Sequence, residues 1–227
     1  MVGLTVMKPL PPETTSELLS RVKSIAGLTL GELAHRTNSP IPGDLRQHKG
    51  WVGQFLETFL GADSGNLAVP DFSKLNIELK TIPINKRGLP QESTYITVVP
   101  MLGAPNLAWE SSEVRLKLQH VLWLPVEADQ HLKLADRRVG YAVLWRMPTH
   151  IEAILRADWQ ELMEYVLLGR LAKLNASIGQ YLHVRPKAAN SRILTQGLDN
   201  QGNKILTLPR GFYLRPQLTQ QIILKKC

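Results

Sequence analysis

The first sixty residues carry three patterns that are typical of amphipathic helices. Thr14 and Thr29 each stand three residues before a glutamate, which is the spacing of a capping box at a helix start. Apolar residues follow both at helical intervals, and Gly27 is a plausible stop for the first helix. A third helix is predicted at about 50–61, because its apolar residues repeat every three or four positions. Glu57 falls at the edge of that apolar stripe.

Beyond this region the pattern changes to the two-residue alternation of β-strands. Residues 76–82 alternate strictly, which predicts a half-buried strand with Glu78 and Lys80 on the face turned away from the core. Residues 85–88 are typical of a turn, and residues 93–100 resume the alternation. Together these segments predict a hairpin with a long connection.

The rest of the chain continues with mixed strands and helices. The predicted elements are strands at about 120–126 and 140–145, a long helix at about 150–174 opened by a capping box at Thr149 and Glu152, short strands near 181–185 and 205–214, and a last helix from about 217. This order indicates a mixed α/β fold. We expect a single domain with two lobes.

Charge is distributed unevenly along the 227 residues. The chain has 27 Lys and Arg against 19 Asp and Glu, a formal net charge of +8. Residues 170–227 alone contain ten basic residues and one acidic residue. A near-neutral body with a basic C-terminal quarter favours a polyanionic partner, with nucleic acid first. The alternative is a solvated basic face that only improves solubility.

The cysteine and apolar content exclude several classes of protein. A single cysteine, Cys227, rules out a disulfide framework and a cysteine-rich zinc site. The six histidines do not fall at zinc-binding spacings. There is no apolar run of membrane-spanning length, and the N-terminal prolines do not fit a signal peptide. We therefore expect a soluble protein of a reducing compartment, the cytoplasm, with no membrane partner.

The strongest chemical pattern surrounds the strand at 76–82. Pro70 and Asp71 are followed, after six residues, by Glu78, Leu79 and Lys80, which is a PD…ExK pattern. Side chains two apart on a strand share a face, and Asp71 arrives from the preceding turn. The two carboxylates can therefore meet across a divalent cation. Hard oxygen ligands select Mg²⁺, with Ca²⁺ or Mn²⁺ as substitutes.

Such a site suits the hydrolysis of a phosphodiester. A bound metal lowers the pKa of a water and neutralises charge on the scissile phosphate. Lys80 can orient the attacking water and stabilise the charge of the transition state. The general base is either neutral Lys80 or a neighbouring phosphate, and both alternatives stay open. The competing interpretation is a solvated strand with a weak Glu–Lys pair.

Nine short segments, in order along the chain, carry a family resemblance. They are residues 49–53, 57, 60–62, 71–72, 77–83, 109–110, 121–123, 185–190 and 207–214. With these, about residues 12–224 resemble the MutH family, the strand-discriminating endonucleases of methyl-directed DNA mismatch repair. The resemblance implies a restriction-endonuclease-like fold, with a mixed central sheet flanked by helices, and a monomer shaped as a two-armed clamp. The catalytic N-terminal arm would be about 12–148, and the basic DNA-embracing arm about 149–227.

The same resemblance implies roles for residues in the catalytic arm. Asp71 and Glu78 would be the Mg²⁺ ligands and Lys80 the catalytic lysine. Glu57 would lie at the edge of the metal site. Lys117 matches an accessory lysine near the scissile phosphate.

Other matches concern the reading of DNA. Lys49 matches a residue that links base recognition to the active site. The residues that match the family's GATC-contacting and methylation-sensing loops are Arg185, Pro186, Lys187 and Tyr213. Arginine suits a bidentate contact to guanine, and an aromatic ring can pack where an added methyl group would clash. Tyr95 stands where relatives often have phenylalanine and is a further DNA-binding candidate.

The function that these features imply is a Mg²⁺-dependent endonuclease. It would nick the unmethylated strand at hemimethylated GATC sites, 5′ to the guanine, in response to MutL with MutS upstream. One alternative is an autonomous restriction-type nuclease that cuts both strands. The other is a non-catalytic DNA-binding module in which residues 71–80 are only a strand.

Overall fold

A computed structural model describes residues 9–43, 48, 50–65, 67, 69–102, 106–187 and 192–225. The helices are α1 (Thr15–Ile25), α2 (Leu30–Arg36), α3 (Trp51–Leu60), α4 (Glu113–Leu118), α5 (Thr149–Leu167) and α6 (Pro216–Ile223). The strands are β1 (Glu78–Ile84), β2 (Thr94–Val98), β3 (His120–Glu127), β4 (Val143–Arg146), β5 (Leu182–Pro186), β6 (Thr195–Leu198), β7 (Lys204–Thr207) and β8 (Arg210–Leu214). The predicted mixed α/β class is confirmed.

The described residues form two compact units, and each is discontinuous in sequence. The first unit contains the chain up to residue 91 together with residues 120–145. The second contains residues 92–119 and the chain from residue 146 onward. The division into a catalytic arm and a DNA-embracing arm near residue 149 stays a prediction.

Helices α1 and α2 begin where the capping pattern predicts. The Thr14 hydroxyl accepts a hydrogen bond from the N–H of Glu17, and the Thr29 hydroxyl accepts one from the N–H of Glu32, both over 3.1 Å. The Glu32 carboxylate also accepts from the Thr29 N–H, so this capping box is complete. In α1 the Glu17 carboxylate accepts from the N–H of Glu13 instead. The first box is therefore only half formed.

The predicted hairpin after β1 is wrong. A turn does form, since the N–H of Gly88 donates to the carbonyl of Asn85 over 2.8 Å. The returning chain makes one isolated antiparallel bridge, between Ile84 and Pro90. Proline has no N–H to continue a ladder. Instead β1 pairs in parallel with β3, in a sheet of order β1-β3-β4, and β2 joins a separate sheet.

In the second unit, β2, β8 and β5 form an antiparallel sheet in that order, and β6 and β7 form a two-stranded ribbon. The strand β6 was not predicted, because its sequence lacks apolar alternation. Helix α5 packs near β5 and is shorter than predicted, since the chain leaves the helix before Gly169, whose φ is +61°.

The predicted capping box at the start of α5 is also wrong. Pro148 precedes the helix and makes no side-chain cap. The Glu152 carboxylate instead accepts hydrogen bonds from the Trp109 indole over 3.1 Å and the Arg115 guanidinium over 2.7 Å. The bond from Arg115, with a smaller effect from Trp109, lowers the pKa of Glu152.

Within the described ranges, no helix combines the length and the apolarity needed to span a membrane.

Candidate active site

A closed loop brings Asp71 to the start of β1. Phe72 and Ile77 exchange backbone hydrogen bonds of 2.9 and 3.3 Å, and Asn76 adopts a left-handed conformation with φ +50°. The loop therefore returns the chain to β1 within six residues. The Asp71 Oδ2 atom accepts a hydrogen bond from the N–H of Leu79 over 2.8 Å. The carboxylate is thus fixed to the strand residue that lies between the other two members of the pattern.

Glu78 and Lys80 form an ion pair on one face of β1. Their alternation with Leu79, which lies in the core of the first unit, is as predicted. The expected exposure is wrong, because the Glu78 side chain is only 1% exposed. On β3 the residues paired with Glu78 and Lys80 are Val121 and Trp123, both fully buried. Both faces of this sheet are therefore covered, and the carboxylate is held by its cationic neighbour.

Residues before Asp71 support its position. The carbonyl of Asp71 accepts hydrogen bonds from the N–H groups of Asp63 and Ser64, and the Ser64 hydroxyl lies 3.4 Å from Asp71 Oδ1. Asp63 in turn accepts from both the N–H and the hydroxyl of Ser73. Burial raises the pKa of Asp63, but these bonds outweigh it and the net pKa is lowered. The sequence did not predict these hydrogen bonds around Asp71, because no local motif indicates them.

Glu57 lies where α3 approaches β1. A Cβ atom on Gly53, one turn earlier, would lie 3.7 Å from Glu57 Oε1 and 3.5 Å from Thr81 Oγ1. Both are ordinary contact distances, so the Glu57 carboxylate and the Thr81 hydroxyl lie on the same side of Gly53. The structure places Glu57, which is half-buried, beside β1. Its role at the edge of a metal site stays a prediction.

Two residues predicted to act at the active site remain, Lys49 and Lys117. Lys49 falls outside the described residues. Lys117 is half-buried on α4, in the second unit. Helix α4 is tied to β2 by a hydrogen bond from the Thr97 hydroxyl to the Glu113 carboxylate.

The donor set at β1 fits Mg²⁺. In the ranges that the structure describes, no cluster of three or more His, Cys, Asp or Glu side chains is arranged for a metal. Asp71 and Glu78 supply two carboxylates at the start of β1, and that of Asp71 is bonded to the N–H of Leu79, the residue that follows Glu78. Mg²⁺ takes one or two carboxylates and keeps several waters, whereas Ca²⁺ uses six to eight oxygen ligands. The residues present are therefore appropriate for Mg²⁺ with a phosphate and water completing its shell.

The sheet β2-β8-β5 has one polar and aromatic face. Its register places Tyr95 and His183 on either side of Tyr213, and Arg185 beside Gly211. Cross-strand partners share a face, and residues 211 and 213 are two apart on β8, so all five belong to the same face. The opposite face contains the buried residues Leu182, Val184, Phe212 and Leu214. This face is the candidate DNA-reading surface, here called the reading face.

Four of the predicted DNA-binding residues contact one another on the reading face. The Tyr95 and Tyr213 rings pack edge to face with centroids 5.4 Å apart. The Lys187 ammonium lies 3.5 Å from the Tyr95 ring centroid, and the Arg185 guanidinium lies 5.8 Å from that of Tyr213. Both are cation–π distances. Pro186 ends β5 between the two cations and is exposed.

Burial controls ionisation on the reading face. Burial, with smaller effects from Tyr213 and Glu113, raises the pKa of Tyr95 to about 12. Burial also raises the pKa of Tyr213. Both phenols therefore keep their protons at neutral pH and can donate hydrogen bonds. Burial, and then the charge of Arg215, lowers the pKa of His183 to about 4, so this histidine is neutral.

Sequence reasoning missed His183 and Gly211. His183 is 4% exposed, and its Nε2 lies 2.9 Å from the Ser93 hydroxyl. A lone histidine in a strand gives no signal of this kind, since its partner is 90 positions away. Gly211 could have been noticed only as a glycine inside a predicted strand.

The basic segment divides into structural and exposed residues. Arg215 donates hydrogen bonds to the carbonyls of Gly179, Ala176 and Ile178 over 2.7–3.1 Å. Arg210 donates to carbonyls as well, and burial lowers its pKa. These two arginines therefore stabilise the backbone of the loops whose carbonyls they contact. The exposed basic residues of the segment, within the described ranges, are Arg170, Lys173, Arg185, Lys187, Arg192, Lys204 and Lys225.

Comparison with known proteins gives a consistent result. The family described as "DNA mismatch repair enzyme MutH" matches residues 60–158. A protein of Histophilus somni (strain 2336), named "DNA mismatch repair protein MutH", is 50% identical over 213 residues, which cover 94% of this chain and 95% of that protein. Proteins of the same name from Vibrio campbellii (strain ATCC BAA-1116) and Yersinia pestis (strain Pestoides F) are 49% and 48% identical. These two alignments each cover 96% of this chain, and 96% and 95% of the respective relatives.

Identity near one half, over almost the full length of both chains, is shared by several relatives. It agrees with the mixed α/β architecture described above and excludes the non-catalytic alternative. The chain therefore belongs to the MutH family of DNA mismatch repair endonucleases, which are DNA-cleaving hydrolases with a restriction-endonuclease-like fold.

Proposed function

We propose that this endonuclease requires Mg²⁺ and nicks the unmethylated strand of hemimethylated GATC sites, 5′ to the guanine. The observation that carries the proposal is the arrangement at β1. There the Asp71 carboxylate is bonded to the Leu79 N–H, directly between Glu78 and Lys80. Two carboxylates and an ammonium group at one strand suit phosphodiester hydrolysis.

Each residue at β1 has a distinct task. Asp71 and Glu78 would hold the metal, and the bond from Leu79 keeps the Asp71 carboxylate in place. Bound Mg²⁺ supplies positive charge to the scissile phosphate and lowers the pKa of a water. Lys80 would orient the attacking water and offset the negative charge that develops on the phosphate. Its ion pair with the buried Glu78 fixes where that ammonium points.

The reading face would supply sequence recognition. Arg185 is exposed at the end of β5 and suits a bidentate contact with guanine in the major groove. The other exposed basic residues of the segment suit phosphate contacts, which provide most of the affinity and none of the sequence information. The net charge of the chain supports a DNA partner of this kind.

Methylation would be read by the tyrosines. The adenine amino group that carries the methyl lies in the major groove. Tyr95 and Tyr213 present a packed pair of rings beside Arg185 and Lys187. An additional methyl group at such a surface would clash with a ring that cannot move freely. The site would therefore accept only the unmethylated strand.

Regulation by MutL, itself recruited through MutS, completes the proposal. GATC sites are frequent, so an unregulated nicking enzyme would damage the chromosome. The sequence around Gly202 and Lys204 does not match a phosphate-binding loop that would allow an ATP switch of its own. A partner that binds the DNA-engaged form more tightly by several kcal/mol would shift the population toward it. Low salt, which strengthens phosphate contacts, should partly replace the partner.

The test is a nicking assay on a plasmid with one GATC site in unmethylated, hemimethylated and fully methylated forms. We expect Mg²⁺-dependent nicks in the first two, none in the third, and no activity in EDTA. ATP-bound MutL should increase the rate by orders of magnitude at physiological salt. Full activity without MutL, with both strands cut at any methylation state, would favour the restriction-type alternative instead.

A further inference from the structure

Gly211 lies under the two tyrosine rings of the reading face. A Cβ atom at this position would be 2.9 Å from Tyr95 Cε2, 3.2 Å from Tyr95 Cδ2 and 3.1 Å from Tyr213 Cε2. Non-bonded carbon atoms are at their best separation at about 3.5–4.0 Å. The space that a side chain would need is therefore already occupied by both rings.

This glycine is not required by the backbone conformation. The eight glycines with positive φ among the described residues do not include Gly211. It lies inside β8, paired with Val98 on one side and Arg185 on the other. A glycine within a strand normally weakens it, because it has no side chain to pack. Here the rings of Tyr95 and Tyr213 fill that place.

The Tyr95 ring is half-buried and makes two contacts that a displacement would disturb. It packs edge to face on Tyr213, and the Lys187 ammonium lies 3.5 Å from its centroid. A methyl group at position 211 would have to displace this ring by some tenths of an ångström and disturb both contacts. Added volume at a packed site is destabilising, and displacement of the ring is the way to relieve it.

We propose that Gly211 is a positioning residue for methylation readout. Its missing side chain lets the rings of Tyr95 and Tyr213 lie directly over β8, and this sets the height of the surface that meets the adenine amino group. The inference rests on the proposed function, in which these tyrosines distinguish methylated from unmethylated strands. Gly211 itself acts through these two rings, chiefly that of Tyr95, and not through contact with DNA.

The experiment compares nicking rates on hemimethylated and fully methylated GATC duplexes, with full-length protein and Mg²⁺. For the wild type the ratio of the two rates should be large. In Gly211→Ala the displaced rings no longer fit the unmethylated site and no longer exclude the methyl group. We therefore expect the ratio to fall by about fivefold or more, which is about 1 kcal/mol of discrimination.

Two further backgrounds identify the route. Tyr95→Phe keeps the ring atoms that a Cβ would strike, so Gly211→Ala should lower the ratio in this background as in the wild type. Tyr95→Ala removes the Tyr95 atoms and leaves only the 3.1 Å approach to Tyr213 Cε2, so Gly211→Ala should then change the ratio much less. This double-mutant cycle also serves if Gly211→Ala alone does not fold, because the Tyr95→Ala background relieves the closest contacts.

The outcomes separate this inference from the proposed function. If the wild type cuts both duplexes equally, the proposed function fails. If the wild type discriminates and Gly211→Ala keeps the same ratio, even with lower rates on both duplexes, the inference fails and the proposed function stands. An equal effect of Gly211→Ala with and without the Tyr95 ring would also overturn the inference.

Discussion

The Asp71 carboxylate and the backbone N–H of Leu79 form a 2.8 Å hydrogen bond that anchors a loop side chain to β1. The bond uses one oxygen of the carboxylate, Oδ2, while Ser64 approaches the other. The structural and chemical roles of Asp71 can therefore be separated by substitution.

Asp71→Asn should fold as well as the wild type and lose nicking. The amide oxygen can still accept from the Leu79 N–H, but the negative charge required for Mg²⁺ is gone. Asp71→Ala should lose nicking and also about 1 kcal/mol of unfolding free energy, because the N–H loses its acceptor. Denaturant unfolding and the nicking assay measure the two effects. Appreciable Mg²⁺-dependent nicking by Asp71→Asn would show that this carboxylate is not a metal ligand.

Lys80→Met should lower the free energy of unfolding by about 3 kcal/mol. The substitution removes the cation that accompanies the buried Glu78 carboxylate. Adding Glu78→Gln should recover part of the loss, because the charge is then removed as well. The matched control is Lys74→Met, which breaks an exposed pair with Glu13 and should cost much less, because water screens that pair. Equal losses in the two single variants would contradict the buried pair.

His183 should make stability depend on pH between about 4 and 6.5. Its folded pKa is lowered to about 4 from 6.5, so in this window the unfolded chain binds a proton that the folded protein does not. Stability from this group is complete above pH 6.5 and is lost as the pH falls toward 4. Between pH 7 and 5 the loss should be about 2 kcal/mol.

The variant His183→Gln should remove this slope, since glutamine cannot take up the proton but can still hydrogen-bond with Ser93. His35→Gln is the control, because His35 is exposed on α2. Unfolding free energies at several pH values provide the measurement. A slope that persists in His183→Gln would show that other groups cause it.

Arg215→Met should affect stability, whereas Lys187→Met should affect DNA binding. Arg215 donates to three carbonyls before β5, so its loss should cost about 2 kcal/mol of stability and leave the salt dependence of DNA binding unchanged. Lys187 is exposed, so its loss should weaken DNA binding and lower the salt slope by about one. Binding titrations at several salt concentrations test both. A reduced slope in Arg215→Met would place that guanidinium on DNA.

Local sequence patterns predicted where helices and strands form more accurately than they predicted which strands pair. The caps at Thr14 and Thr29 depend on residues three positions apart, and both helices begin there. Whether a strand pairs with the next strand in sequence depends also on residues far away along the chain, which can offer a better partner. β1 therefore pairs with β3 despite a well-formed turn that would suit a hairpin.

The candidate site shows the same limit. Alternation placed Glu78 and Lys80 on a common face, but the burial of Glu78 depends on Val121 and Trp123 of another strand. The packing of Gly211 against Tyr95 is invisible in sequence for the same reason. The exposure of a side chain and the close approach of two residues depend on the assembled fold, whereas the spacing of residues along a strand is visible in the local sequence.

Cleavage of a short hemimethylated GATC duplex whose two strands carry different labels measures strand choice, cut position and metal dependence together. We expect one product, from the unmethylated strand and cut 5′ to the guanine, that requires Mg²⁺ and is absent with Asp71→Asn. Cleavage of the methylated strand at a comparable rate, or product formation in EDTA, would contradict it.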